Sequence, residues 1–540
     1  MSRPDRTLRA KIALLALTSM LLTGGLAHAG DFVDTRLNFT LVDENVLVKP
    51  GETSPSVPGW RFGQPSQLGI LFFENYDTRY TGYENLTHLV VYKKVETARV
   101  VFEAAYVLRL LQFTDVNLSS IDDGSYIRIQ YFFDRTRTSK LNVAFTAFPL
   151  NADRMRLGYS WRISWGGSPI FFKYNPDLPI GASAFVTNTA PSPGAKLQIS
   201  DERWYAYVGA KSSTLLDRNP SVNEQVAVWG ALFGVGGDAI KDHLRLEANG
   251  GYFNRGTNPL FFGTTVGPQG QTFKSYPVTT VGGTFQISAF DHIAPTTSVD
   301  TALYRNDSQS AARYFNRPFY QPGFNWLASA EWTMTGSTLQ DANKLNSTKM
   351  QLSYAGDVNL RAQVGKLRLK LDFEVRSLGY ILQNQPSLVP YQDFPQDGKT
   401  TPELFGSVGF DYWFQRVGMT LGLTLGVQNP ASFKPGANGV PGALLGTASA
   451  NNVAATIVVR NEGDLSILPD STNRLSAKPI FGTKLEARED FLEWFAVIGQ
   501  AYYEYDGNLT HLTKATGGES IRSYNYPHRL GFTFTLQARY

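Results

Sequence analysis

The chain has 540 residues, of which 13% are aromatic, 18% are charged and none is cysteine. Without cysteine there is no disulfide scaffold, thiolate zinc centre or cysteine nucleophile, and a mean hydropathy of −0.20 excludes a bundle of membrane helices. The formal charge is only +4, so a basic surface for nucleic acid is not implied.

Residues 1–29 read as a secretory signal. Arg3, Arg6, Arg9 and Lys11 precede an apolar run over 12–22, and Ala27-His28-Ala29 supplies small residues for cleavage. The run is too short to span a bilayer as a helix. Its removal leaves 46 basic against 45 acidic residues.

From residue 30 onward the chain alternates apolar and polar residues, and helical periodicity is nearly absent. Strands are expected near 32–42, 86–95, 98–113, 124–135 and 138–149. Over 155–165 the pattern is regular. Met155, Leu157, Tyr159, Trp161, Ile163 and Trp165 alternate with Arg156, Gly158, Ser160, Arg162 and Ser164, which predicts a further strand. The stretch 167–201 contains Pro169, Pro176, Pro179, Pro191 and Pro193, which resist strand pairing.

Further strands are expected near 203–214, 223–235, 242–254, 279–291 and 297–305. Over 324–334, Trp326 and Trp332 oppose Asn325, Ser329 and Glu331. After 347–360 comes the clearest segment, 366–376. There Leu367, Leu369, Leu371, Phe373 and Val375 share one face, and Lys366, Arg368, Lys370, Asp372, Glu374 and Arg376 share the other. Strands near 403–415, 417–428, 478–488, 491–505 and 527–540 complete the series.

Alternation does not say which face is buried. In a sandwich the apolar face points inward; in a membrane barrel it points into lipid. Several features favour the barrel. Segments of about nine to eleven residues suit a tilted bilayer crossing better than ordinary strands of about five to six. Aromatic residues such as Trp165, Phe324 and Phe410 sit near strand ends on the apolar face. The polar faces carry mixed charges that a water-filled lumen tolerates.

The fold class is therefore all-β: a transmembrane antiparallel β-barrel of about 18 strands, within a range of roughly 16 to 20. One barrel occupies 30–540, with long outer loops at 43–85, 255–278, 379–402, 429–477 and 506–526. Alternating short and long connections hold from both ends of the chain but fail around 167–201 and 306–323. Either 167–201 or 429–477 is expected to fold inward and constrict the lumen, and 456–459 to form a hairpin within its loop.

The last twelve residues, 529–540, place Leu530, Phe532, Phe534, Leu536 and Ala538 on the face of the terminal Tyr540. This resembles the closing strand of Gram-negative outer-membrane β-barrels of the porin-like kind, although phenylalanine is the usual last residue there. The resemblance implies location in the bacterial outer membrane, contact with its lipid, and recognition by the barrel-assembly machinery through Phe532, Phe534 and Tyr540. No specific family is matched.

On this register the lumen is lined by Arg99, Glu103, Arg128, Asp134, Arg156, Arg162, Glu331, Lys366, Arg368, Lys370, Asp372, Glu374 and Arg376. Opposed charges across a pore make a selectivity element. The plainer reading is that they pair along neighbouring strands and keep the wall wet. Catalytic signals are weak. Asp291-His292 is adjacent on a strand end and so expected to point apart, and Asp122-Asp123-Gly124 reads as a turn rather than a cation site. No enzyme, metal or cofactor is expected. The function expected is passive diffusion of small hydrophilic solutes. A structural or surface barrel is the alternative, and a barrel-based enzyme is third.

Overall fold

A computed structural model describes residues 32–50, 52, 59–62, 87–114, 117–122, 124–152, 155–158, 160, 163–166, 192–216, 225–258, 276–292, 323–341, 344, 347–384, 399–434, 456–461, 464–469, 477–492, 494–514 and 520–539. The expected signal at 1–29, the strand at 297–305, Arg162 and Tyr540 lie outside the described residues.

Eighteen strands form the wall. They are β1 (Phe32–Asp43), β2 (Thr87–Glu96), β3 (Val100–Thr114), β4 (Tyr126–Phe132), β5 (Asn142–Phe148) and β6 (Gly194–Ser200). Next come β7 (Trp204–Leu216), β8 (Gln225–Ile240), β9 (Leu244–Asn258), β10 (Tyr276–Asp291), β11 (Phe324–Gln340) and β12 (Thr348–Val364). The wall ends with β13 (Leu367–Arg376), β14 (Glu403–Phe414), β15 (Met419–Asn429), β16 (Ile480–Leu492), β17 (Phe495–Tyr505) and β18 (His528–Arg539).

Each strand pairs antiparallel with the next. The sheet closes because β1 pairs with both β2 and β18, with Phe39 opposite Leu536 and Asp43 opposite Phe532. Closure satisfies the backbone groups that an open edge would leave bare in hydrocarbon.

Burial is inverted relative to a soluble protein. On β13, Leu369, Leu371 and Phe373 are 40–47% exposed while Arg368 and Arg376 are at most 9% exposed. The same holds on β18, where Phe532 and Phe534 point out and Thr533, Thr535 and Gln537 point in. Outward aromatic residues gather near the short-turn rim, including Phe133, Phe324, Tyr412, Phe414, Phe491 and Trp494. This is the girdle of a barrel at a membrane–water boundary. No described helix is long and apolar enough to cross a membrane; the crossing is made by strands.

The wall is uneven. Strands β4, β5 and β6 have 7 residues each, whereas β11 and β12 have 17. At the long-loop rim, strands Lys399–Thr401, Ala431–Lys434, Ile457–Asn461 and Asp464–Ile467 form a separate four-stranded sheet. Its core includes Phe433, Ile457 and Val459. A hairpin of Thr510–Lys514 and Ser520–Tyr524 stands beside it, tied on by the Thr510 hydroxyl, which donates to the Ile467 carbonyl at 3.0 Å.

Two sequence expectations fail here. The described residues of 155–165 are not part of a wall strand, and 194–200, inside a stretch read as resisting pairing, is one. The proline-rich part precedes Gly194, so it does not interrupt the ladder of β6 with β5 and β7. The loop expected at 255–278 is also shorter, because β9 runs to Asn258 and β10 starts at Tyr276.

Candidate functional site in the barrel lumen

A barrel of this strand number encloses more space than wall side chains fill. Part of that space is occupied by the chain itself. After β5, residues 151–152, 155–158, 160 and 163–166 turn into the lumen. The Ala152 amide donates to the Ser192 carbonyl at 2.6 Å, and the Lys211 ammonium donates to the Ala152 carbonyl at 3.0 Å, anchoring the base. Leu157 and Trp165 then face each other as an antiparallel bridge with amide–carbonyl distances of 2.6 and 2.8 Å, closing a tight inner hairpin.

Met155, Leu157, Ile163 and Trp165 are each at most 1% exposed. They pack against luminal, not lipid-facing, residues. The Trp165 ring meets Phe253 edge-on at 5.4 Å, and its indole N–H donates to the Thr284 hydroxyl at 3.1 Å.

The wall is shaped to receive them. Gly209 of β7, Leu232 of β8, Gly251 of β9 and Gly282 of β10 are successive register partners in one cross-strand row. All face inward. A Cβ would come within 3.0 Å of Met155 Sδ at Gly209, 2.7 Å of Leu157 Cδ1 at Gly251 and 2.9 Å of Trp165 Cζ2 at Gly282. The missing side chains form the groove in which the hairpin's apolar face lies. Burying each large apolar side chain there contributes roughly 1.5–3 kcal/mol.

Polar contacts fix the far side of the hairpin. The Ser160 amide donates to Glu331 Oε2 at 2.8 Å. Gly158 has φ +100°, and a side chain there would collide with the Glu331 carboxylate. The helix α1 (Leu378–Asn384) follows β13, packs on β12, and sends the Tyr380 hydroxyl to donate to the Ile163 carbonyl.

The wall beyond β11 is charged. On β12 to β14, Arg361 meets Asp372 at 2.5 Å and Arg368 holds Asp411 through two bonds of 2.6 Å. Arg376 meets Glu403 at 2.8 Å, and Gln428 donates to the other oxygen of that carboxylate at 2.7 Å. On β16 and β17, Lys484 meets Glu486 at 3.2 Å and Glu504 meets Arg529 at 3.4 Å. Several carboxylates here stay in reach of solvent: Asp411 is 24% exposed and Glu486 26%.

The sequence-predicted lining residues divide accordingly. Glu103, Arg128, Glu331, Arg368, Lys370, Asp372, Glu374 and Arg376 face the lumen; Glu103 and Arg128 are buried 4.0 Å apart. Arg156 lies on the inner hairpin, not on the wall. Arg99, Asp134 and Lys366 do not line the lumen. All three sit in short turns, where strand alternation has ended. Arg99 is exposed and donates to the Tyr131 hydroxyl at 3.0 Å, and Lys366 is exposed in the two-residue turn after β12. Asp134 accepts bonds from the Ser139 and Thr136 amides, which hold its carboxyl at about 2.

The sequence reading missed the groove and the charged partners Asp357, Arg361, Asp411, Lys484 and Glu486. A signal for the groove was present. Strand β8 is apolar on both faces, with Trp229, Phe233 and Val235 outward and Val228 and Leu232 inward. In a barrel that calls for apolar matter inside. The Asp291–His292 pair also differs from expectation. His292 has φ +61° and leaves the strand, so the imidazole reaches Asp291 at 2.8 Å, exposed on the short-turn rim. Asp122 accepts bonds from the Gly124 and Ser125 amides at 3.3 and 3.1 Å, as a turn does. No acidic or histidine cluster among the described residues has the grouping needed to hold a metal.

No family model and no curated protein matches the chain. Solved structures do match along its length at low identity. OmpT, an outer-membrane protein of Vibrio cholerae, is 9% identical with a TM-score of 0.32, over 96% of this chain and 99% of that one. Wzi of Escherichia coli, an outer-membrane protein involved in group 1 capsule assembly and a carbohydrate-binding β-barrel, is 10% identical with a TM-score of 0.36, over 100% and 90%. Pseudomonas aeruginosa OpdL is 10% identical with a TM-score of 0.40, over 95% and 99%. Such scores carry no argument about function. On its closed ring, inverted burial and aromatic girdle, the chain is a transmembrane β-barrel protein.

Proposed function

We propose that the protein is an outer-membrane channel through which small hydrophilic solutes diffuse passively. The observation that carries this reading is the division of the lumen. The inner hairpin is docked in the groove of one wall, while charged residues of the other, such as Asp411 and Glu486, remain in reach of solvent. The hairpin narrows the passage, and paired charges line what is left. The proposal assigns the chain no reaction and no cofactor. Its lipid contact is the outward apolar band. Its assembly signal is the closing strand with outward Phe532 and Phe534, together with the terminal Tyr540.

A second reading is a surface or structural barrel whose outer loops do the work. The folded four-stranded sheet at the long-loop rim favours it. Single-channel recording of the detergent-folded protein in a planar bilayer separates the two. Discrete conductance steps are expected. A silent bilayer from correctly folded protein would overturn the channel and leave the surface barrel.

A further inference from the structure

The charged wall has one row unlike the others. Following the register, Arg361 of β12 lies opposite Lys370 of β13, then come Gly409 of β14, Thr424 of β15 and Lys484 of β16. Three cations and no carboxylate share this level. In the next row toward the long-loop rim the ionisable groups are Asp372, Glu504 and Arg529, and in the next row the other way Arg368, Asp411 and Glu486.

The carboxylates around the row are engaged by other cations. Asp372 holds Arg361, Asp411 holds Arg368 through both oxygens, and Glu486 holds Lys484 and accepts from Gln500. The Lys370 ammonium feels the charges of Asp372, Lys484, Arg361 and Asp411 but makes no hydrogen bond or ion pair among the described residues. Its stem lies along the wall through the notch at Gly409, where a Cβ would collide with its Cε. Lys370 is half-buried. Arg361, Arg368 and Lys484 are matched by Asp372, Asp411 and Glu486, and Lys370 is the cation of this group with no ion pair among the described residues.

We propose that Lys370, backed by Arg361 and Lys484, anchors a binding site for a small oxyanion, the carboxylate or phosphate group of a passing solute. The ammonium supplies donors that no acceptor among the described residues uses, and the flanking cations raise the potential without being free to move onto the ligand. This deepens the channel reading by naming its solute class, yet the binding itself needs no conduction.

The test measures equilibrium binding to the detergent-folded full-length protein, with 31P relaxation for inorganic phosphate and saturation-transfer NMR for succinate. Wild type should bind at least one of the two. Lys370→Gln should weaken that binding roughly tenfold, the loss expected for one hydrogen bond to a charged group, and Lys370→Arg should keep it. Gly409→Ala, which displaces the lysine stem, should weaken it as well and decides the matter if Lys370→Gln does not fold. Phosphate binding alone, or succinate binding alone, identifies the source of the oxyanion. Binding of neither by wild type, or equal binding by wild type and both weakening variants, overturns the site. A silent bilayer with Lys370-dependent binding would remove the channel and keep the site. A conducting bilayer with unaltered binding would do the reverse.

Discussion

The two walls of the lumen solve opposite problems with the same strand geometry. On β7 to β10 a patch of inward positions is small or apolar: Gly209, Leu232, Gly251, Phe253 and Gly282. They are covered by the inner hairpin, and Leu232 and Phe253 are fully buried. On β12 to β16 many inward positions are charged, most of them buried in ion pairs, with Asp411 and Glu486 partly exposed. The first wall is held by apolar burial and shape, so its energy depends on volume. The second is held by ion pairs whose cations are largely buried, so its energy depends on keeping each charge partnered. A barrel thus gains a constriction from one wall and a polar path from the other.

The largest expected effect is on the covered wall. Trp165→Ala removes the ring that meets Phe253 and the N–H that meets Thr284. It should weaken hairpin docking by about 3–5 kcal/mol, the usual loss for a buried aromatic residue. Hydrogen exchange at the Leu157 amide should accelerate sharply while the barrel stays folded on gels. Unchanged protection would break the distinction between the walls.

A glycine exchange sharpens it. Gly251→Leu pushes into Leu157, and overpacking of this kind costs about 1–3 kcal/mol, whereas Gly422→Ala on the open wall meets its nearest atom, Asp411 Cβ, at 3.3 Å. The first should raise and destabilise channel current by displacing the hairpin, and the second should leave current traces unaltered.

Glu331→Gln tests the seam between the walls. The Ser160 amide would keep an acceptor but lose a charged one, a change of about 1 kcal/mol. More frequent flicker in current recordings is expected, smaller than for Trp165→Ala.

The smallest effect belongs to neither wall. The Asp134 carboxyl is held at about 2, below its ordinary 3.8, chiefly by the Ser139 amide. A depressed carboxyl pKa stabilises the folded form above the ordinary value, and that contribution disappears as pH falls from about 4 toward 2. Asp134→Asn should therefore refold slightly less favourably at neutral pH and equally well near pH 2. A constant difference across pH would show that the turn bonds are not the cause.

Most of the wall was legible in the sequence, and for a local reason. Each strand repeats every two residues, so Leu369, Leu371 and Phe373 separate from Arg368, Lys370 and Asp372 whatever the rest of the chain does. The closing strand with outward Phe532 and Phe534 was legible for the same reason. The pattern is blind to which side of a sheet it faces, and to whether a segment belongs to the sheet at all. Residues 155–165 alternate as well as any wall strand, yet Trp165 lies inside. Only the glycine row across β7, β9 and β10 and the apolar Leu232 and Phe253 make a luminal groove for it, and those residues meet through register between distant segments. Arg99, Asp134 and Lys366 carried the right charge but fell in turns, because strand ends are set by neighbouring strands. Local chemistry determined the strands and their two faces; long-range pairing decided where the ring closes, what enters it, and which lysine has no ion pair among the described residues.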